Sequence, residues 1–164
     1  MKHRLAFSPP SYGEEEKEAV SSCVENRWTG TGPKTKDFEK RFKNYKQAKY
    51  STAVSSCTSA LFLSLKALGI KEGDEVITTA MTFCSTINVI LHTGAKPILC
   101  DIDPITNNIN PLQIEELITS RTKCLLIVHY AGYPCDMKKI CKIVDKYNLY
   151  LVEDCAHAIE TKFQ

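Results

Sequence analysis

The sequence has no apolar run longer than a few residues, so no segment of it can cross a bilayer as a helix. Its first residues, MKHRLAFSPP, include basic side chains but no apolar core of signal-peptide length. It has little charge of either sign in excess. A formal net charge of +2 gives no argument for nucleic acid or an anionic membrane as partner. No GxGxxG fingerprint follows the first expected strand, which argues against a nicotinamide enzyme. None of the eight cysteines forms a CxxC pair, so no metal-ligand spacing is present and no metal is expected. There is no internal repeat, low-complexity tract or linker. With 164 residues, 43% of them hydrophobic, the chain has the size and composition of a single globular domain, expected in the cytoplasm. In that setting Cys23, Cys57, Cys84, Cys100, Cys124, Cys135, Cys141 and Cys155 read as buried, reduced thiols acting as small hydrophobes.

What is present is an alternation of short apolar runs and helical periods. Residues 1–10 read as an extended arm. Glu14–Asn26 reads as a helix, with acidic residues in its first turn and Ala19, Val20, Cys23 and Val24 as its apolar stripe. A loop with two glycines and the only tryptophan follows. A second helix then carries Phe38, Phe42 and Tyr45, with Thr35 as its cap. From Ser51 the chain alternates strictly. Strands are expected at Ser51–Val54, Glu75–Thr78, Lys96–Cys100, Lys123–Val128 and Leu149–Val152. Helices are expected at Thr58–Leu68, Cys84–His92, after Asn110-Pro111, and at Met137–Tyr147 with Asp136 as cap. This spacing means βαβ units and a mostly parallel sheet.

Four places have the residue types for chemistry. Ser55–Ala60 puts small hydroxylated residues at a helix start, which is either a phosphate site or a plain N-cap. The stretch Thr79–Thr86 follows the second strand, and its Phe83 either stacks on a flat ring or belongs to the core. Asp154 follows the end of the last expected strand, where open α/β sheets place ligands. It either caps the following turn or pairs with a cation such as a protonated pyridine nitrogen. His157 is either a contact to a ring substituent or an interior histidine. In the Arg27–Pro33 loop, Trp28 reads as core, or as the edge of a backbone-lined pocket with its neighbouring glycines.

Five successive stretches, WTGTGPKTKDFEKRF, VSSCTSALFLSLKALGIKEGDEVIT, MTFCSTINVILHTGAKPILCDIDP, RTKCLLIVHYAGYPCDM and LVEDCAHA, closely resemble the DegT/StrS-type nucleotide-sugar aminotransferases. The resemblance runs over nearly the whole chain in order. It implies an α/β three-layer sandwich with a mostly parallel sheet, the large domain of the fold type I pyridoxal 5′-phosphate enzymes. Residues 1–48 would form an arm and helices, and 49–164 the βαβ core. It implies pyridoxal 5′-phosphate as cofactor, and a UDP- or dTDP-linked 4-keto sugar (a 3-keto sugar being the lesser option) with glutamate or glutamine as amino donor, in a homodimer that serves polysaccharide or lipopolysaccharide synthesis. By the same resemblance Asp154 would pair with the pyridine nitrogen, Phe83 would stack on the ring, Cys57 and Thr58 would hold the phosphate, and His157 would lie beside the cofactor. Trp28, Thr29 and Gly30 would lie near the sugar nucleotide.

The family's Schiff-base lysine lies in a Ser-Phe…Lys-Asn context beyond Gln164, and Lys162, the only lysine after Asp154, does not match it. The resemblance therefore implies about the first two-fifths of a typical member, without the small domain and with no catalytic residue of its own. Such a chain is expected to bind the cofactor weakly, not to transaminate alone, and to associate through an open sheet edge. The alternatives are a sugar dehydratase relative, in which histidine replaces that lysine, and a non-catalytic remnant or interaction module.

Overall fold

The computed structural model describes residues 10–163, which fall into two compact units divided between Ala53 and Val54. All of the expected arm except Pro10 lies outside the described residues.

The first unit is a pair of helices. α1, Glu14–Glu25, starts at Gly13, whose N–H donates to the Glu16 carboxylate at 2.6 Å. That contact and the three glutamates of the first turn answer the helix dipole. α2, Pro33–Tyr45, begins two residues before the expected cap at Thr35. Gly32 is its N-cap, and Pro33 takes the first turn, where a missing N–H costs nothing. Lys34 ties the two helices, donating to Ala19 O at 2.8 Å and Ser22 Oγ at 2.6 Å. The apolar stripe of α1 is not buried within this unit, and Val20 and Val24 stay exposed.

The second unit is a three-layer α/β sandwich. Its elements are α3 (Cys57–Ala67), β1 (Glu75–Thr79), α4 (Cys84–His92), β2 (Lys96–Cys100), α5 (Pro111–Ile114), β3 (Thr122–Val128), α6 (Met137–Tyr147) and β4 (Tyr150–Asp154). The four strands are parallel, in the order β2-β1-β3-β4. Side chains alternate across the sheet. Val76, Cys124, Leu126 and Val152 face α3 and α4, meeting Leu61, Leu65, Val89 and Ile90. Ile77, Leu125 and Ile127 face the other way, onto Ile114, Ile140 and Ile143.

The sequence reading and the structure part at several points. Ser51–Val54 is not a strand. An extended segment joins a sheet only where a neighbouring edge takes up its ladder, and among the described residues none does. β4 runs on through Glu153 and Asp154 rather than stopping at Val152, because Ile127 and Val128 of β3 pair with both. The helix after Pro111 is a single turn followed by a 3₁₀ turn, Glu115–Leu117. The cysteines are all free, as expected. Only Cys100, Cys124 and Cys135 are buried, however; Cys84 and Cys141 are exposed on helices, and Cys57 is exposed at the first position of α3, with its thiol turned toward Asp154.

Candidate functional site

Both β2 and β3 follow β1 in the chain but lie on opposite sides of it, so the strand order reverses between β1 and β3. At such a reversal the loops leaving the two strands part and open a crevice beyond their carboxyl ends. The loop after β1 brings Thr82 and Phe83, the loop after β3 brings His129, Tyr130 and Ala131, and β4 ends in Asp154 with Ala156 and His157 beyond it. These residues and Val128 line one small cavity of about 80 Å³.

Strand parity places the carboxylate. Asp154 lies two residues beyond Val152, so it points to the face covered by α3 and α4. There it is 5% exposed. Its Oδ2 accepts from Thr86 Oγ1 of α4 at 2.8 Å. Its Oδ1 accepts from the Ala156 N–H at 3.1 Å and from the Cys57 thiol of α3 at 3.5 Å. Among the described residues no basic side chain forms an ion pair with it. A buried carboxylate held by neutral donors alone lacks the cation that would offset its desolvation.

Above it, Phe83 is 75% exposed, which removes the core reading for this ring. It is the N-cap residue of α4, and its extended backbone (ψ 142°) leaves the ring outside the helix at the cavity wall. His157 is likewise exposed and not an interior histidine.

Cys57 and Thr58 open α3. Ser56 is the N-cap, its Oγ accepting from the Ser59 N–H at 3.1 Å, and Ala60 N–H reaches Ser56 O. The N–H groups of Cys57 and Thr58 find no acceptor among the described residues, as expected of the first two helical positions. Both readings of this turn therefore apply together: it is a capped helix start that still presents two free donors at the positive end of the dipole. The Cys57 thiol is pushed up to about 11, first by desolvation and then by the Asp154 charge, so it is uncharged at neutral pH and does not repel an anion there.

Trp28, Thr29 and Gly30 belong to the first unit. With Val20, Cys23 and Pro33 they line a cavity of about 540 Å³. Trp28 is 55% exposed, and its Nε1 donates to Thr31 O at 3.1 Å. The indole lies so close over Gly32 that a Cβ there would stand 1.9 Å from Nε1, so position 32 has no room for a side chain.

Three further residues hold the cavity: Thr82, which lines it, and Thr86 both belong to the candidate stretch 79–86 but carried no expected role there, and Asn108 lay outside every candidate stretch. Thr82 and Thr86 lie four apart in the loop-to-helix transition, their hydroxyls 2.7 Å apart. Asn108 is buried and grips the β3 loop at two points, accepting from Tyr130 N–H at 2.8 Å and donating to Tyr133 O at 2.9 Å. Within that loop Ala131 adopts φ 50° and Gly132 φ 82°. Such tertiary pairings link distant positions, and only the hydroxyl spacing at 82 and 86 offered any local signal.

On the opposite face Glu153 meets His129, whose Nε2 is 2.8 Å from Glu153 Oε2, with Cys155 close by. Nδ1 of His129 accepts the Cys135 N–H at 3.1 Å, which puts the proton of the neutral ring on Nε2, facing the carboxylate. A ligating histidine has the reverse arrangement, donating its outer N–H away from the metal. The cluster therefore reads as a hydrogen-bonded pin between the ends of β3 and β4.

Comparison with known proteins agrees with this architecture. The chain is 47% identical over 162 residues to the spore coat polysaccharide biosynthesis protein SpsC of Bacillus subtilis (strain 168), covering 99% of this chain and 42% of that protein. The crystal structure of an aminotransferase from Psychrobacter cryohalolentis superposes with a TM-score of 0.87 at 42% identity, over 93% of this chain and 40% of that one. NtdA from Bacillus subtilis, solved with its cofactor PMP bound, gives a TM-score of 0.85 at 37% identity, over 97% of this chain and 39% of that one. The chain thus spans about two-fifths of the length of these relatives, and the expected fold type I large-domain architecture is met over that span. Residues 10–164 match a single family description, and the chain belongs to the DegT/DnrJ/EryC1/StrS aminotransferase family.

Proposed function

We propose that this chain forms the cofactor-holding part of a pyridoxal 5′-phosphate-dependent aminotransferase that aminates a nucleotide-linked 4-keto sugar. The observation that carries the reading is Asp154, a buried carboxylate with three neutral donors and no cation, open to a cavity rimmed by an exposed aromatic ring. A protonated pyridine nitrogen supplies the missing charge, a flat ring suits Phe83, and the free N–H groups of Cys57 and Thr58 suit a phosphate. When bound, the cofactor supplies an electron sink and the carrier of the amino group.

The chain's own residues divide the work. Asp154 would hold the proton on the ring nitrogen. Phe83 would stack on one face of the ring. The α3 turn would hold the phosphate through the N–H groups of Cys57 and Thr58 and the Thr58 hydroxyl. His157, which lines the same cavity, would lie beside the ring. The Trp28–Gly30 loop is assigned to the sugar nucleotide, supported by the sequence resemblance and by the cavity that the loop lines in its own unit. Glutamate as donor, a homodimeric assembly and a place in polysaccharide synthesis rest on the same resemblance, and the last is supported by the name of the polysaccharide biosynthesis protein of Bacillus subtilis.

Among the described residues no lysine lines the cavity around Asp154. The reading therefore gives this chain non-covalent retention of the cofactor and no turnover by itself. Pyridoxamine phosphate needs no lysine to bind, so it is the probe. Titration followed by its fluorescence is expected to saturate weakly with the chain, and to lose about tenfold or more in affinity on Phe83→Ala, the loss of one stacking face. Unchanged affinity in that variant, or steady glutamate-dependent turnover by the isolated chain, contradicts the assignment.

A further inference from the structure

Thr86 is fully buried in the first turn of α4. A threonine inside a helix ordinarily returns its hydroxyl hydrogen to a carbonyl one turn earlier. Here the hydroxyl reaches instead to Asp154 Oδ2 at 2.8 Å, a residue 68 positions away in the chain. A hydroxyl has one hydrogen, and an ionised carboxylate only accepts. The hydrogen of Thr86 is therefore committed to Asp154, and the 2.7 Å contact with Thr82 runs the other way, with Thr82 donating. The two hydroxyls form a directed chain from the cavity wall to the carboxylate.

Asp154 needs that chain for a geometric reason. The Ala156 N–H and the Cys57 thiol both bind Oδ1. Both donors bear on the same atom, and the thiol is the weaker of them, so without a partner on Oδ2 the carboxylate can swing about Oδ1. The Thr86 hydroxyl holds the second oxygen and sets the plane. We infer that Thr86, itself oriented by Thr82, is a positioning residue that aims the Asp154 carboxylate at the ring nitrogen of the cofactor.

This rests on the cofactor reading above, and the two fail separately. The experiment follows pyridoxamine phosphate carrying ¹⁵N in its ring, bound to the full chain, by affinity and by the pH dependence of the ring-nitrogen signal. Thr86→Val is expected to weaken binding about ten- to hundredfold, the usual effect of losing a hydrogen bond to a charged group, and to let the ring lose its proton at lower pH than in the unaltered chain. Thr86→Ser restores the hydroxyl and is expected to return both readouts to within about threefold of the starting values. A merely structural threonine would leave the ring-proton profile unmoved. If Asp154→Asn loses the protonated ring signal while Thr86→Val keeps it with full affinity, the inference is overturned and the cofactor reading stands. If the unaltered chain and Asp154→Asn hold the probe alike, the cofactor reading falls and the inference with it. Should Thr86→Val fail to fold, Thr82→Val decides. It is expected to shift the ring-proton profile in the same direction by a smaller amount, and an unmoved profile overturns the inference.

Discussion

Gly132 offers a quantitative test of how the cavity wall is held. It sits at φ +82° in the loop after β3, and a Cβ built on it would lie 2.9 Å from the backbone oxygen of His157. Thr161 Oγ1 donates to Gly132 O at 2.6 Å, so the segment after His157 is fastened to the same glycine. Replacing Gly132 by alanine imposes two costs. Holding an L-residue at positive φ costs about 1–2 kcal/mol. Pressing a methyl group against a backbone oxygen adds about 1–3 kcal/mol, because no flexible side chain can yield. Gly69 separates the two terms, since it has φ +77° but open space around its Cβ position. Gly69→Ala is therefore expected to show only the backbone cost, about 1–2 kcal/mol. Gly132→Ala should lose about 2–5 kcal/mol. In a chain of this size that is a fall in Tm of roughly 2–4 °C per kcal/mol. Equilibrium urea unfolding of the two variants beside the unaltered chain measures the difference directly. Equal losses would refute the packing of the β3 loop against His157, because the collision that distinguishes the two sites would then be absent.

Two further outcomes follow from ionisable groups. Glu75 at the opposite end of the sheet has a side chain only 3% exposed, held by the Thr119 hydroxyl at 2.6 Å and Arg121 at 2.6 and 3.0 Å. The Thr119 hydrogen bond first, and the Arg121 hydrogen bond next, lower its pKa below the ordinary 4.5. A lowered folded-state value means that the unfolded chain binds the extra proton. Stability from this group is therefore full above about 4.5 and is lost as pH falls through the lower folded value. Glu75→Gln should cost about 1.5–3 kcal/mol near neutrality and flatten the acid limb of the stability profile; an unchanged acid limb in urea titrations would contradict this. The Cys57 thiol, pushed up to about 11, should alkylate with iodoacetamide at a rate that climbs toward that pH, and Asp154→Asn should speed it. Mass spectrometry resolves the site, and a rate midpoint near the free-thiol value of about 8.5 would refute the desolvated environment.

Much of this was legible in the sequence where the signal is local. Helix α4 and strand β2 fell within the expected bounds, because Gly94 and the flanking turn residues punctuate them. Asp136 caps α6 as expected, its side chain accepting from Lys139 N–H, and the left-handed terminus at Asn148 is added by the structure. The position of Asp154 at a strand end was readable, and strand parity then accounts for Glu153 and Asp154 serving opposite faces. What was not legible depends on partners far along the chain. Ser51–Val54 has strand composition, but pairing is a property of two segments. The exposure of Phe83 follows from its place outside α4, which its apolar character hides. Burial of the cysteines depends on tertiary packing: Cys100 and Cys124 are buried in strands and Cys135 in the loop before α6, whereas Cys57, Cys84 and Cys141 are exposed on helices. The grip of Thr86 on Asp154 and of Asn108 on the β3 loop joins residues that no local period connects.

The central claim is that the Asp154 carboxylate is the counter-charge for a cofactor ring nitrogen. A crystal structure of this chain with pyridoxamine phosphate addresses it most directly. The ring nitrogen should lie within hydrogen-bonding distance of Asp154, with the ring on Phe83 and the phosphate on the Cys57 and Thr58 N–H groups. A ring bound in another cavity, or in this one with its nitrogen turned away from Asp154, would contradict it.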